Sequence, residues 1–203
     1  MKSIAMFATA TGLACGLVAA GAPAGWADGQ LKSKYLKSEY AFTENQQCLD
    51  APGGFNASLQ PNNPSESRLV ALALAGVYTF DGRGGLKVDD TAVGIDTIPS
   101  STQNTTSVPN GVSQSGTGSG SYEFEADGSV TITFTIARKI LTGLGAGLTY
   151  SIDQLVLSGQ LSPDNKTLLL STTEPVVSML TVSNGVVFPL ICNASGTAVK
   201  VGP

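Results

Sequence analysis

The sequence predicts an all-β fold, an antiparallel up-and-down barrel of eight or nine strands, on three observations. Apolar and polar residues alternate with period two across residues 121–138, the mark of a sheet with one dry and one wet face. Between such runs stand Asp81-Gly82, Asp127-Gly128 and Asn184-Gly185, the dipeptides that close tight hairpins. No stretch of useful length carries helical periodicity. Barrel closure removes the exposed strand edges; a β-sandwich is the alternative and would also bring the chain ends together.

Taken in order, the first 27 residues read as a secretory signal peptide. Lys2 supplies a positive charge, an apolar stretch runs from Ile4 to Ala20, and Gly25-Trp26-Ala27 offers a small-x-small cleavage site. A lipid-anchored alternative would use Cys15. Residues 28–203 then form a single domain. Leu31, Tyr35 and Leu36 suit a short helix, and Tyr40-x-Phe42 the first strand. Residues 49–66, with Pro52, Gly53, Gly54, Pro61 and Pro64, read as a loop. Arg68 to Phe80 is a strand, Asp81 to Gly84 a tight turn, and another strand starts at Leu86. Residues 97–121 are poor in apolar side chains and rich in Ser, Thr, Gly and Asn, which predicts a long polar loop.

The clearest hairpin follows. Tyr122, Phe124 and Ala126 alternate with Ser121, Glu123 and Glu125; on the return, Val130, Ile132, Phe134 and Ile136 alternate with Thr131, Thr133 and Thr135. After the glycines at 143–147, Leu148, Tyr150 and Ile152 hold one parity and Leu155 and Leu157 the other, predicting a bulge or corner near Asp153-Gln154. Pro163 to Lys166 turns the chain into Thr167 to Thr173. Glu174-Pro175 breaks that strand, Val176 to Ser183 continues it, and Val186 to Cys192 is the last.

Composition narrows the chemistry. The 203 residues include no histidine, 13% charged residues and a net charge of -4. Without histidine there is no Ser-His-Asp triad, no Cys-His pair and no common zinc site. An acidic chain is a poor partner for nucleic acid. Once residues 1–27 are removed, Lys2 and Cys15 leave with them, so the net charge becomes -5 and two cysteines remain, Cys48 and Cys192. A pair in an exported protein is most simply one disulfide. Cys48 follows the first strand and Cys192 ends the last, so in a closed meander the bond staples the seam.

Three stretches, Leu36 to Phe42, Leu74 to Gly85 and Gly120 to Phe134, share an aromatic strand, an Asp-Gly turn or a Thr-rich return strand. In them the chain resembles a group of exported bacterial proteins of unassigned role, and with these the lipocalin-like and allene-oxide-cyclase-like barrels. The resemblance implies a barrel; it carries over no catalytic residue.

Tyr78, Phe80, Tyr122, Phe124, Phe134 and Tyr150 are the candidate ligand-binding residues, since parity aims most of them inward, where they either fill a small barrel or line a pocket. Tyr122 and Tyr150 would offer hydroxyls to a bound group. Arg138-Lys139 reads as a solvated strand end, leaving an apolar interior without charged residues. Glu123, Glu125 and Asp127 form an outer acidic row, and Asp89, Asp90 and Asp96 lie near a loop; neither set has the converging spacing of a metal site. Glu123, Tyr150 and Asp153 are the acid or base groups near strands, Asp153 being the one a bulge could re-aim inward. No cofactor motif is present. The expectation is a secreted, non-enzymatic barrel for a small apolar or amphipathic ligand. The alternatives are an isomerase or cyclase of the allene-oxide-cyclase type, and a structural envelope protein that uses loop 97–121 as its contact surface.

Overall fold

The computed structural model describes residues 36–98, 108–125, 127–143 and 145–201. The leader, the candidate cleavage site, Cys15 and the expected helix at Leu31 and Tyr35 lie outside them. Among the described residues nine antiparallel strands follow one another: β1 Lys37–Asp50, β2 Arg68–Asp81, β3 Gly85–Ile98, β4 Val108–Phe124, β5 Ser129–Thr142, β6 Thr149–Leu161, β7 Thr167–Ser171, β8 Val177–Val182 and β9 Val187–Val201. Each pairs with the next up to β7, β9 pairs with β7, β8 and β1, and β6 also pairs with β8, so the sheet closes into a ring. β7 and β8 together occupy one place between β6 and β9. Glu174 and Pro175 stand in the gap, since proline cannot donate to a ladder. Among the described residues no helix is long and apolar enough to cross a membrane.

Cys48 and Cys192 are direct cross-strand partners on β1 and β9, with Cα atoms 4.1 Å apart, and their disulfide links residues 144 apart across the closing seam. Neither cysteine ends its strand: β1 runs on to Asp50 and β9 to Val201, because Ala194 and Ala198 keep the inward parity beyond Cys192. Closing so long a loop stabilises by about 5 kcal/mol on the chain-entropy view.

The expected loop at 97–121 is a strand over most of its length, since β4 begins at Val108. Ser113, Ser115, Thr117, Ser119 and Ser121 hold the outer parity, while Gly116, Gly118 and Gly120 hold the inner one. The glycines are there because the inner space is taken. A Cβ on Gly120 would lie 2.6 Å from the Cβ of Phe134, and one on Gly116 2.8 Å from Cγ of Arg138. Gly120 is the cross-strand partner of Phe134, Gly116 of Arg138, Gly76 of Phe42 and Gly196 of Glu44. Large inward side chains thus recline over a glycine on the next strand, a pairing used to bend and close sheets.

The parity switch in β6 is a bulge. Phe134 pairs with Leu155 and Ile136 with Ile152, and Gln154 takes a left-handed φ of 57°. Its carbonyl accepts a hydrogen bond from Ser178 Oγ at 3.2 Å, which ties the bulge to β8. Asp153 remains exposed, so the bulge does not bring that carboxylate into the barrel.

Candidate functional site

The barrel interior divides into two ends and a belt. One end carries the hairpins β2–β3, β4–β5 and β6–β7, and it is solid. Tyr40 meets Phe80 edge-on at 5.5 Å, Phe80 meets Tyr122 at 5.1 Å, and Phe42 stacks on Tyr78 at 4.2 Å between ring centres. Val130, Ile132 and Leu168 are fully buried beside them. The hydroxyls are spent on backbone: Tyr40 donates to the Asn165 carbonyl at 2.8 Å and Tyr122 to that of Leu36 at 3.1 Å.

Across the middle lies a belt of polar side chains, each from an inward position of its strand. Tyr78 of β2 donates to Glu44 of β1 in a short hydrogen bond. Arg138 of β5 places Nη2 2.5 Å from Asp90 Oδ2 of β3 and Nη1 3.3 Å from Gln46 Oε1 of β1. Tyr150 of β6 donates to Gln114 Oε1 of β4 at 2.5 Å. Arg138 is 3% exposed and Asp90 6%. The interior therefore is not free of charge, and Arg138 is not a solvated strand end; its partner Asp90 was legible only as one of several carboxylates near a loop. Burial pushes the Glu44 carboxyl up, although Tyr78 and Arg138 oppose the shift. Burial and then the neighbouring Glu44 push the Tyr78 hydroxyl well up. A residual void of about 20 Å³ beside Glu44, Asp90 and Arg138 has room for one water-sized guest.

Beyond the belt, towards the loops at 51–67, 145–148 and 183–186, the barrel is hollow. The cavity is about 280 Å³, with Val70, Leu72, Val112, Ile152, Leu180 and Phe188 among its apolar walls and Gln114, Arg138 and Tyr150 at its floor. That size is close to the lower bound for small-molecule sites. At its mouth Arg68 donates to Asp50 Oδ2 through Nη2 at 2.9 Å and Nε at 3.2 Å, while Nε lies 3.5 Å from Asp96 Oδ1. The Arg68 side chain is 35% exposed, so the cavity reaches solvent there. Burial raises the pKa of both carboxyls; Arg68 pulls each back, and Asp96 adds to the rise at Asp50.

Of the six aromatic residues singled out from the sequence, Tyr78, Phe80, Tyr122 and Phe134 pack into the solid end and Phe124 against it, with Tyr78 and Phe134 also touching the one-water void. Tyr150 alone among them lines the larger cavity. Glu123 is exposed. The cavity residues Asp50, Arg68 and Gln114, not singled out as site residues from the sequence, and Asp96, named there only among carboxylates near a loop, had one usable signal: each shares the inward parity of its own strand. Comparison with protein-family models, with curated proteins and with solved structures finds no match.

Proposed function

We propose that the protein is an exported binding protein that carries a small amphipathic ligand in the loop-end cavity. The observation that supports this is the pairing of a mostly apolar pocket of about 280 Å³ with a few convergent polar groups at its floor and mouth. Such a pocket gains affinity from apolar burial and orientation from its polar groups. The Cys48–Cys192 disulfide suits an oxidising compartment outside the cytoplasm. Native mass spectrometry of protein purified from its own host tests the reading: a non-covalent adduct of small-molecule mass is expected. An empty protein that also takes up no amphiphile by calorimetry overturns it.

One observation favours a second reading, an isomerase or cyclase. The carboxyls of Asp50 and Asp96 lie on the wall of the same cavity, where they would move a proton on a bound guest while the Gln114 amide orients it by hydrogen bonding. A carrier returns its extracted ligand unchanged, whereas an enzyme yields a product that Asp50→Asn and Asp96→Asn no longer form. In the envelope-protein reading, the contact surface would be largely the outer Ser and Thr face of β4 rather than a loop.

A further inference from the structure

The polar groups of the cavity differ in whether they are already matched, and that difference points to the chemistry of the guest. At the floor, Arg138 is neutralised by Asp90 and held by Gln46, and the Tyr150 hydroxyl is engaged by Gln114. Arg138 Nε has no acceptor among the described residues, but it faces β4: it and Asp90 Oδ1 lie within 3.2 Å of the point where Gly116 would carry a Cβ. The floor therefore presents a completed ion pair rather than a free cation.

The mouth is different. Two carboxylates, Asp50 and Asp96, share the one guanidinium of Arg68, and among the described residues Arg68 gives both of its side-chain hydrogen bonds to Asp50. Asp96, 9% exposed, keeps Oδ1 buried on the cavity wall without a hydrogen-bond donor among the described residues, where its one ion-pair contact is with Arg68. A buried acceptor without a donor is costly, and a guest that supplies the donor recovers that cost on binding. The local charge is one negative in excess, which disfavours a carboxylate or phosphate head and favours a protonated nitrogen.

We propose that the cavity takes an amphipathic amine, its apolar part among Leu72, Val112, Ile152 and Leu180 and its ammonium N–H groups donating to Asp96 at the mouth. This rests on the ligand-binding reading above, and the test separates the two. Decylammonium, decanol and decanoate share a chain and differ in the head, and each is titrated calorimetrically into the full-length, disulfide-bonded protein at neutral pH. Decylammonium is expected to bind about tenfold tighter than decanol, the margin of one charge-assisted hydrogen bond, and decanoate is expected to bind weakest. Asp96→Asn should bring decylammonium down to the level of decanol. Arg68→Gln, which frees both carboxylates, should tighten decylammonium and leave decanoate weak; circular dichroism checks that each variant folds. If all three probes bind alike, or decanoate binds best, the head assignment is overturned while the cavity reading stands. An unchanged preference in a folded Asp96→Asn protein also overturns the assignment. If none of the probes binds, both readings fall.

Discussion

At the hairpin end of the barrel, Leu168 points inward among Val130, Ile132 and Tyr40 and is wholly enclosed; at the loop end, Leu180 points inward just as directly and fronts a cavity of about 280 Å³. Both residues obey the same alternation on successive segments of one interrupted strand. What separates them is the volume of the side chains opposite. The hairpin end draws on Tyr40, Phe80 and Tyr122, whereas the loop end has Val70, Val112 and Leu72 at comparable inward places. A barrel of this size can go either way. Here it does both, and the charged belt at Arg138 divides one state from the other.

The sharpest way to break the comparison is to remove that partition. Arg138→Met leaves the Asp90 carboxylate buried without its partner, and the expected loss is about 3–5 kcal/mol in urea unfolding. The double variant Asp90→Asn/Arg138→Met should regain most of it, since an apolar side chain beside a neutral amide carries no stranded charge. A double variant as unstable as the single would mean that the pair is not what holds the belt.

The same deletion made at each end measures the difference directly. Leu168→Ala opens a hole in close-packed surroundings and should cost near the top of the usual ~2–5 kcal/mol. Leu180→Ala enlarges a space that already exists, and its cost should sit near the bottom of that range. Equal losses in denaturant unfolding would show that the loop end is as tightly packed in solution as the hairpin end.

Much of this contrast was open to inspection in the sequence and part was hidden. Most strands, the turns at Asp81-Gly82 and Asp127-Gly128 and the bulge near Gln154 follow from alternation and turn chemistry, which are local properties, while the disulfide seam follows from the cysteine count together with closure of the meander. β4 was missed because strand propensity favours side chains that fill space, and this strand provides space instead. Its regular signal, a hydroxyl at each odd position from 113 to 121 with glycine at 116, 118 and 120, is itself a period of two. The belt was hidden for another reason. Arg138 looks like a strand-end charge until Asp90, 48 positions earlier, is brought opposite it through β4. Which end is hollow depends on side chains from every strand meeting across the interior, and no local pattern contains that sum.

Filling the hollow end should make the two ends alike at small cost. Val112 lines the cavity from β4, and Val112→Phe projects a ring into space already present. In a full core such an enlargement costs about 1–3 kcal/mol; here thermal unfolding should move by less than about 1 kcal/mol in either direction. Uptake of decylammonium should be lost. A variant that keeps its affinity would place the ligand elsewhere.

The smallest effect, and the one that assigns charge to its region, is in the pH dependence of stability. Glu44 in the belt and Asp50 and Asp96 at the mouth all have their pKa raised by burial, so the folded protein holds protons that the unfolded chain has released. Stability therefore falls as pH rises through the interval between the ordinary carboxylate range and the raised folded values, and is fully present below it. Two turn residues work the other way. Asp81, lowered by the backbone N–H groups of Arg83 and Gly85, and Asp164, lowered by the Ser162 hydroxyl and the Lys166 N–H, lose their contribution only as pH falls below the ordinary range. The melting temperature should thus climb as pH falls from neutral towards the ordinary carboxylate range and drop again below that range. Glu44→Gln, whose amide can still accept from Tyr78, should flatten the climb without touching the acid-side drop. An unaltered climb would move its origin from the belt to Asp50 and Asp96, where Asp96→Asn would then have to remove it.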